Sequence, residues 1–234
     1  MKSGNLFWGS YIMKIDIITI FPSMFDSVFS ESIIKRAQEK KKVQISIHDL
    51  RKWTKDRHKT VDDKPFGGGA GMVMMLQPLY DALCDLDPGH KAYRVLFTAK
   101  GKRIIQEKVR ELSFKKELIL ICGHYEGIDH RVHEHLVDEC VSIGDFVLTG
   151  GEIPAMALVD ATTRLIPGVV GNEESIIDES FSRTEEGTMY IEYPQYTRPA
   201  EFKTKKGVLK VPDVLLSGDH KAIKEWREGH KQKL

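Results

Sequence analysis

The sequence predicts an α/β fold in which a mainly parallel sheet carries helices on both faces. Apolar runs of strand length alternate with segments whose apolar residues recur at helical spacing, which is the order of successive βαβ units. The run at residues 118–122 is apolar throughout and stops at Gly123, the pattern of a strand buried on both sides. At 234 residues the chain can bury a full core, as one large domain or as one domain with a smaller attachment.

The first βαβ unit is expected over residues 14–50. Residues 14–21 are rich in β-branched side chains and end before Pro22, which predicts the first strand. Ser23 can cap the helix that follows, because apolar residues then recur every three or four positions as far as Ala37. The alternating run at residues 42–50 predicts the second strand.

Residues 51–75 show neither a helical nor a strand period, and they hold four glycines between Gly67 and Gly71. Loops of this length inside a compact domain are usually functional or disordered. The segment lacks the GK[ST] of a phosphate-binding loop, and Met72 stands where the last glycine of GxGxxG should be. We therefore interpret it as a flexible loop.

A second series of strands and helices follows. Pro78 opens a helix, residues 93–98 predict a buried strand, and a further helix leads to the strand at residues 118–122. Residues 141–151 predict another strand, interrupted by Gly144 and closed by two glycines. Two glycine-ended strands would meet at the carboxyl edge of the sheet, where open α/β folds bind their ligands.

The chain changes character at residue 171. The preceding helix begins at Pro154 and carries Arg164 in its last turn, where a basic side chain commonly complements the helix dipole. Residues 171–190 are acidic, hydroxyl-rich and aperiodic, so we interpret them as a linker that is mobile when unbound. Residues 191–234 are too few for a strong core and predict a small helical module.

Composition and charge exclude several classes of protein. The formal net charge is only +1, but lysine and arginine are concentrated locally, so basic patches are expected. These concentrations lie at residues 35–42, 51–59, 203–210 and 221–233. Three cysteines without CxxC spacing indicate a reducing compartment, and we expect a cytoplasmic protein with no membrane or DNA partner. Residues 1–12 lack the features of a signal peptide and are interpreted as an extension.

The three histidines His130, His133 and His135 do not predict a metal site. The spacing HExxH is absent, and His133 and His135 would point to different sides of a helix. We interpret this segment as a solvated helix.

Five motifs follow one another between Met13 and the C-terminal helix: KTVDDKPFGGGAGMVMM, LILICGHYEGID, SIGDFVLTGGEIPAM, RLIPGVVGN and YPQYTRP. Together they resemble the bacterial tRNA (guanine-N1)-methyltransferases, which methylate the guanosine 3′ of the anticodon, at position 37. The resemblance implies a deep trefoil knot near the C-terminal edge of the sheet, an exception to the usual rule against knots. It also implies S-adenosylmethionine as methyl donor, a Mg²⁺ requirement, and a homodimer whose site is built from both subunits.

The resemblance further implies which residues bind the donor. They come from three loops and the start of the next helix, and they are Thr98, Ala99, Gly123, Tyr125, Gly127, Ile143, Gly144, Asp145, Phe146, Val147, Leu148, Gly150, Gly151 and Pro154. Thr98 and Ala99 stand where the family often has Ser-Pro, which should alter only the stiffness of one loop. No metal ligand is implied. The donor contains no phosphate, so the absence of a phosphate-binding motif agrees with it.

Methylation of guanine at N1 requires a carboxylate that removes the N1 proton and a cation near O6. In the family the base is an aspartate directly before Ser-Phe, whereas here Glu179 holds that place, with Asp178 as the neighbouring candidate. Arg164 matches the family's catalytic arginine, and Glu126 matches a position that contacts the target base.

The basic residues 51–59 and the C-terminal module are expected to bind tRNA phosphates, because reaching a stacked base requires extruding it while the stem is held. His58, Asp62 and Asp63 are expected to contact the substrate, the two aspartates near the flipped base.

The expected division is an extension at residues 1–12, a knotted donor-binding domain at 13–170, a lid at 171–190 and a tRNA-binding module at 191–234. Two other functions stay open. A non-catalytic RNA-binding protein of the same fold would bind tRNA without methyl transfer. An ATP- or NAD-dependent α/β enzyme would use the glycine loop at residues 67–71.

Overall fold

The structure is a computed structural model that describes residues 12–171, 179–183 and 187–234. The chain divides into two compact units, an N-terminal unit at Met1–Gly171 and a C-terminal unit at Asn172–Leu234. Among the described residues, no helix is both long enough and apolar enough to cross a membrane.

The N-terminal unit is built on a parallel sheet. Its strands are β1 (Met13–Thr19), β2 (Val43–Asp49), β3 (Asp62–Asp63), β4 (Val73–Met74), β5 (Tyr93–Arg103), β6 (Glu117–Cys122) and β7 (Glu139–Ser142). Five of these form the sheet in the order β2-β1-β6-β5-β7, and every pairing within it is parallel. The predicted parallel sheet is therefore confirmed.

Helices lie on both faces of this sheet. They are α1 (Asp26–Phe29), α2 (Ser32–Glu39), α3 (Leu76–Leu86), α4 (Gln106–Ser113), α5 (His130–His135) and α6 (Glu152–Thr163). On one face, Ile18, Leu96 and Ile121 share a buried cluster with Leu83 of α3 and Val132 of α5. Helix α6 contacts β6, α2 and α4 on the other face. Because successive strand residues point to opposite faces, this arrangement buries nearly every residue of β6.

The loop between Phe97 and Lys102 interrupts the pairing of β5 with β7. Phe97 and Lys102 both stand opposite Val141, so the residues between them leave the ladder. Gly101 lies so close to Val141 that an added Cβ would be 2.5 Å from the Val141 Cα. At the predicted ligand-binding edge of the sheet, the backbone at Gly101 therefore packs directly against the backbone at Val141.

Three sequence predictions in this unit are wrong in detail. The single helix expected after Pro22 is a 3₁₀ turn followed by α1 and α2, which are separated where Ser32 adopts φ +51°, and Ser23 provides no side-chain cap. The strand expected over residues 141–151 ends at Ser142, because the following residues turn away to line a cavity. The loop at residues 51–75 contains β3 and β4, which pair with each other antiparallel.

The C-terminal unit contains strands as well as the predicted helices. Its elements are β8 (Ser182–Arg183), β9 (Met189–Ile191), β10 (Glu201–Thr204), β11 (Gly207–Lys210), α7 (Asp213–Leu216), α8 (His220–Gly229) and β12 (Gln232–Lys233). The strands β8, β9 and β12 form one small antiparallel sheet, and β10 and β11 form a hairpin. Asp219 caps α8, since its carboxylate accepts hydrogen bonds from the Lys221 and Ala222 amides.

Candidate functional site

A cavity of about 200 Å³ lies in the N-terminal unit, where the chain leaves β5, β6 and β7. Three loops, at residues 98–100, 123–128 and 143–151, form most of its wall. The cavity brings together twelve of the residues expected to bind a donor: Thr98, Ala99, Gly123, Tyr125, Gly127, Ile143, Phe146, Val147, Leu148, Gly150, Gly151 and Pro154. The placement agrees with the carboxyl edge at which parallel sheets bind ligands.

Gly144 and Asp145 do not line the cavity. Gly144 lies under the Phe146 ring, where an added Cβ would be 2.9 Å from Cδ1 of that ring. Asp145 is exposed and lies 3.5 Å from the Arg103 guanidinium. Gly144 therefore supports the wall through Phe146, and Asp145 forms an exposed ion pair outside it.

Backbone contacts hold the last of the three loops against β6. The Gly151 amide donates a hydrogen bond to the Gly123 carbonyl at 2.8 Å, and His124 forms an isolated β-bridge with Gly150. A Cβ at Gly151 would be 2.7 Å from the Cys122 Cα, so only glycine fits at this place without a backbone shift. The position of the loop at residues 143–151 thus depends on a glycine at position 151.

A buried carboxylate beside the cavity was not predicted. Glu152, the first residue of α6, is 2% exposed, and its Oε1 accepts a hydrogen bond from the Thr19 hydroxyl at 2.8 Å. The His124 Nδ1 lies 3.9 Å from Glu152 Oε2 and is buried without a hydrogen bond to any described residue. Burial, and next the charge of Glu152, raises the pKa of the Cys122 thiol well above its ordinary value. Glu152 was missed because acidic residues are common in the first turn of a helix.

The antiparallel pair β3–β4 brings the glycine-rich segment at residues 67–71 to the rim of the cavity. Met74 of β4 bridges to Ile128, and the Glu126 amide donates a hydrogen bond to the Met72 carbonyl at 3.0 Å. Gly71 packs against the Glu126 side chain, since an added Cβ would lie 2.6 Å from Oε1. The segment that the sequence suggested was a flexible loop therefore positions Glu126, which lines the cavity.

Of the three residues expected to contact the substrate, Asp62 is hydrogen-bonded to Tyr125, which lines the cavity. Tyr125 has φ +59°, which is uncommon for a bulky residue. Burial, followed by the charge of Asp62 and a hydrogen bond to it, raises the pKa of the Tyr125 phenol. Asp62 is therefore fixed at the cavity mouth, whereas Asp63 is exposed and accepts a hydrogen bond from the Lys64 amide at 2.7 Å. His58 is exposed in a turn closed by Asp56.

Arg164 and Glu179 belong to different units. Arg164 follows the last residue of α6, is half-buried, and donates its amide to the Asp160 carbonyl at 3.1 Å. Glu179 is 8% exposed, and its carbonyl accepts a hydrogen bond from the Ser182 amide at 3.0 Å. Asp178, the alternative base, lies outside the described residues.

One histidine interpreted as solvated lines the cavity. His133 is half-buried, and its Nδ1 lies 3.6 Å from the Cys140 sulfur. Burial, together with the nearby His130 and Lys100, lowers the pKa of His133. The described part of the chain contains no group of three or more His, Cys, Asp or Glu side chains able to hold a metal ion.

The chain is similar to known proteins over nearly its whole length. A family model described as tRNA (Guanine-1)-methyltransferase TrmD matches residues 13–234. A relative from Geobacillus kaustophilus (strain HTA426), named tRNA (guanine-N(1)-)-methyltransferase, is 52% identical over 217 residues, which cover 92% of this chain and 85% of the relative. Relatives of the same name from Bacillus cereus (strain AH820) and Bacillus anthracis (strain A0248) are each 50% identical over 224 residues, covering 95% of this chain and 87% of the relative.

Proposed function

Because this chain belongs to the tRNA (guanine-1)-methyltransferase family, we propose that it transfers a methyl group from S-adenosylmethionine to N1 of the guanosine 3′ of the anticodon, position 37, in tRNA. Methyl transfer to N1 of a guanine in tRNA is the activity for which its relatives are named. The observation that supports a donor site is the cavity formed where β5, β6 and β7 end.

The residues around the cavity fit an uncharged nucleoside with a short charged tail. Glycines at positions 123, 127, 150 and 151 bring the backbone to the cavity wall, and Phe146, Leu148 and Pro154 provide apolar surface. Small-molecule sites commonly combine such an apolar wall with a few fixed polar groups. S-adenosylmethionine, when bound, supplies an electrophilic methyl group on a positively charged sulfur.

Glu126 is proposed to hold the target guanine at the mouth of the cavity. Its backbone is fixed by Met72, and its side chain is confined by the close approach of Gly71. The neighbouring Tyr125 phenol and Asp62 carboxylate are hydrogen-bonded to each other. A side chain held in this way can orient a base without a large loss of conformational entropy on binding.

Glu179 is proposed to remove the N1 proton, and Arg164 to stabilise the negative charge that spreads to O6. A proton must leave N1 before or during attack, so the reaction needs a carboxylate near N1 and a cation near O6. The burial of Glu179 supports a role in which water is excluded. Residues 171–190 are proposed as the lid that brings this carboxylate to the substrate.

Exposed apolar side chains support the proposed homodimer. Phe21, Met24 and Ile153 keep 38%, 43% and 51% of their surface exposed; Phe21 directly precedes the 3₁₀ turn that holds Met24, and this turn contacts α6, which carries Ile153. A patch of this kind commonly marks a protein interface. A tRNA substrate puts the proposed activity in the cytoplasm, and we assign no described residue to Mg²⁺.

The test combines calorimetry with single-turnover methylation of a tRNA transcript. The full chain should bind S-adenosylmethionine and methylate a transcript with guanosine at position 37, but not one with adenosine there. Glu179→Gln and Arg164→Ala should each lower the single-turnover rate about 100-fold or more. Glu39→Gln, an equal charge change at an exposed site of α2, should keep the wild-type rate.

Near-normal rates for both site variants would refute the assigned roles. Normal tRNA binding without methyl transfer would instead indicate a non-catalytic RNA-binding protein. Binding of ATP or NAD without binding of S-adenosylmethionine would indicate the nucleotide-dependent enzyme.

A further inference from the structure

The C-terminal unit contains a second cavity, of about 520 Å³, that the proposed chemistry does not use. We name it the Tyr196–Trp226 groove. Its lining residues are Tyr193, Pro194, Gln195, Tyr196, Thr197, Arg198, Ala200, Val211, Leu215, Leu216, Ile223, Trp226 and Arg227. Aromatic rings and two guanidinium groups therefore line a groove to which no aspartate or glutamate contributes.

Ring contacts within and beside this groove hold its aromatic side chains in place. The Tyr196 and Trp226 rings meet edge to face, with centroids 6.3 Å apart, and Tyr196 is 49% exposed. The Trp226 ring stacks on His230 at 3.9 Å, and the Arg227 guanidinium lies 5.0 Å from the centre of the Tyr193 ring. Exposed aromatic rings beside arginine are the usual platform for unstacked RNA bases.

The β10–β11 hairpin starts and ends at this groove. The Val211 amide donates a hydrogen bond to the Ala200 carbonyl at 2.9 Å, and both residues line the groove. Every residue of the two strands is exposed. Phe202 and Leu209 stand opposite each other, so they share one face, and they are 58% and 63% exposed. A two-stranded hairpin without a buried face has little stability of its own.

The tip of the hairpin presents lysines in a fixed turn. The Thr204 hydroxyl accepts a hydrogen bond from the Lys206 amide at 3.1 Å and donates one to the Gly207 carbonyl at 2.9 Å. Gly207 closes the turn at φ +138°, a conformation that other residues rarely adopt. Lys205 and Lys206 therefore occupy the two corner positions of the turn.

The β10–β11 hairpin carries a net positive charge. Its only carboxylate, Glu201, is bonded to Lys210 at 2.7 Å. Among the described residues, no carboxylate lies within ion-pairing distance of Lys203, Lys205 or Lys206. This charge complements a polyanion and would repel a second copy of the same hairpin.

We propose that the Tyr196–Trp226 groove binds an unpaired RNA base, which stacks on the exposed Tyr196 ring and contacts the Trp226 indole, while Lys203, Lys205 and Lys206 contact the flanking phosphates. The inference rests on the proposed function only in taking tRNA as the RNA. It adds a nucleotide-binding site in the C-terminal unit that is distinct from the donor cavity and takes no part in methyl transfer itself.

Trp226 fluorescence tests the stacking directly. A short single-stranded oligouridylate should quench the fluorescence of the full chain, because the bound base would lie in contact with the indole. Trp226→Phe should remove most of this quenching, whereas Trp8→Phe, in the N-terminal unit, should leave it in place. Quenching that survives Trp226→Phe would refute the site.

The lysines are tested by tRNA affinity measured at several salt concentrations. Replacement of Lys203, Lys205 and Lys206 by glutamine should make the slope of log K against log[salt] less negative by about 2 to 3. The control replaces Lys35, Lys41 and Lys91, which are exposed in the N-terminal unit, and should keep the wild-type slope. Tyr196→Leu should weaken tRNA binding roughly 5- to 150-fold with an unchanged slope.

An equal slope for the two lysine variants would refute the proposal. So would a hairpin variant that changes the oligomeric state but not the RNA affinity, because the surface would then bind another copy of the chain. Failure of the proposed function would give a different result. The wild-type protein would then bind tRNA and oligouridylate, but it would not bind S-adenosylmethionine and would not methylate tRNA.

Discussion

Replacement of Gly101 by alanine should destabilise the fold more than a single added methyl group normally does. Gly101 lies in the part of β5 that passes against β7. An added Cβ would be 2.5 Å from both the Cα and the carbonyl carbon of Val141, and the Val141 nitrogen is also in contact. These are backbone atoms of a buried strand residue, so no rotation of a side chain can relieve the overlap.

The magnitude follows from the kind of atom that must move. Overpacking in a protein core typically costs about 1–3 kcal/mol, and displacement of backbone places Gly101→Ala at the upper end, about 2–3 kcal/mol. The loss of conformational entropy in the unfolded chain offsets less than about 1 kcal/mol of this cost. For a chain of this size, the net change of about 1–3 kcal/mol corresponds to a fall in Tm of roughly 2 to 12 °C.

Gly229→Ala is the matched control. Gly229 ends α8, has no heavy atom within 4 Å of an added Cβ, and does not have positive φ. Its replacement should leave the Tm unchanged or raise it slightly, because alanine favours helix.

Both variants are measured by thermal unfolding followed by circular dichroism, with calorimetry of S-adenosylmethionine binding beside it. Gly101→Ala should also bind the donor more weakly, since Thr98 and Ala99 line the cavity just before this crossing. A Gly101→Ala protein that melts within about 1 °C of the control would refute the reasoning, because the crossing would then have room that the structure denies.

Three further predictions concern buried polar groups. Glu152→Ala leaves the Thr19 hydroxyl without its acceptor and should lower the free energy of unfolding by about 1–3 kcal/mol in urea titrations, whereas Glu152→Gln should lose less. Asp87→Ala removes the partner that Arg94 contacts at 2.9 Å, which should lower the free energy of unfolding by about 3–5 kcal/mol. Adding Arg94→Met should recover part of this loss, because the buried charge is then removed as well. A double variant no more stable than Asp87→Ala alone would contradict a role for the buried charge. The pKa of His133 is lowered from 6.5 by burial, so below pH 6.5 the unfolded chain takes up more protons than the folded one, and stability falls as the pH is lowered. His133→Gln should flatten the dependence of Tm on pH between about 5 and 7, and equal slopes would contradict this assignment.

The strands could be predicted because their signal is local. The apolar run that ends at Cys122 is long enough for a strand, has β-branched residues, and stops at a glycine. The structure places it at the centre of the sheet, buried on both faces. The helices were predictable where one apolar face repeats over several turns, as in α3. The helix after Pro22 was not, because its break at Ser32 comes from a backbone angle with no sequence signal.

The pairing of distant segments could not be predicted from the residues alone. Strand β4 contains only Val73 and Met74, too short for any period, and its place beside Ile128 is fixed by tertiary contacts. The β10–β11 hairpin was missed because its lysines suggest a solvated segment. Lys-Gly at its turn was the one local signal that could have indicated it.

The value of glycine as a signal depends on where it stands rather than on how many occur together. The densest group of glycines begins with Gly67 and Gly68, which have no heavy atom within 4 Å of an added Cβ, and this group alone suggested a nucleotide loop. Gly101 and Gly151, in contrast, are held against the backbone of Val141 and Cys122. Gly101 lies near the end of β5 and Gly151 directly precedes α6, at two places where one segment of chain must pass close to another for the cavity to form. A glycine held against the backbone of another segment is therefore the better indicator of a site in this fold, because its missing side chain is required by the packing, whereas Gly67 and Gly68 are required only by their own turn.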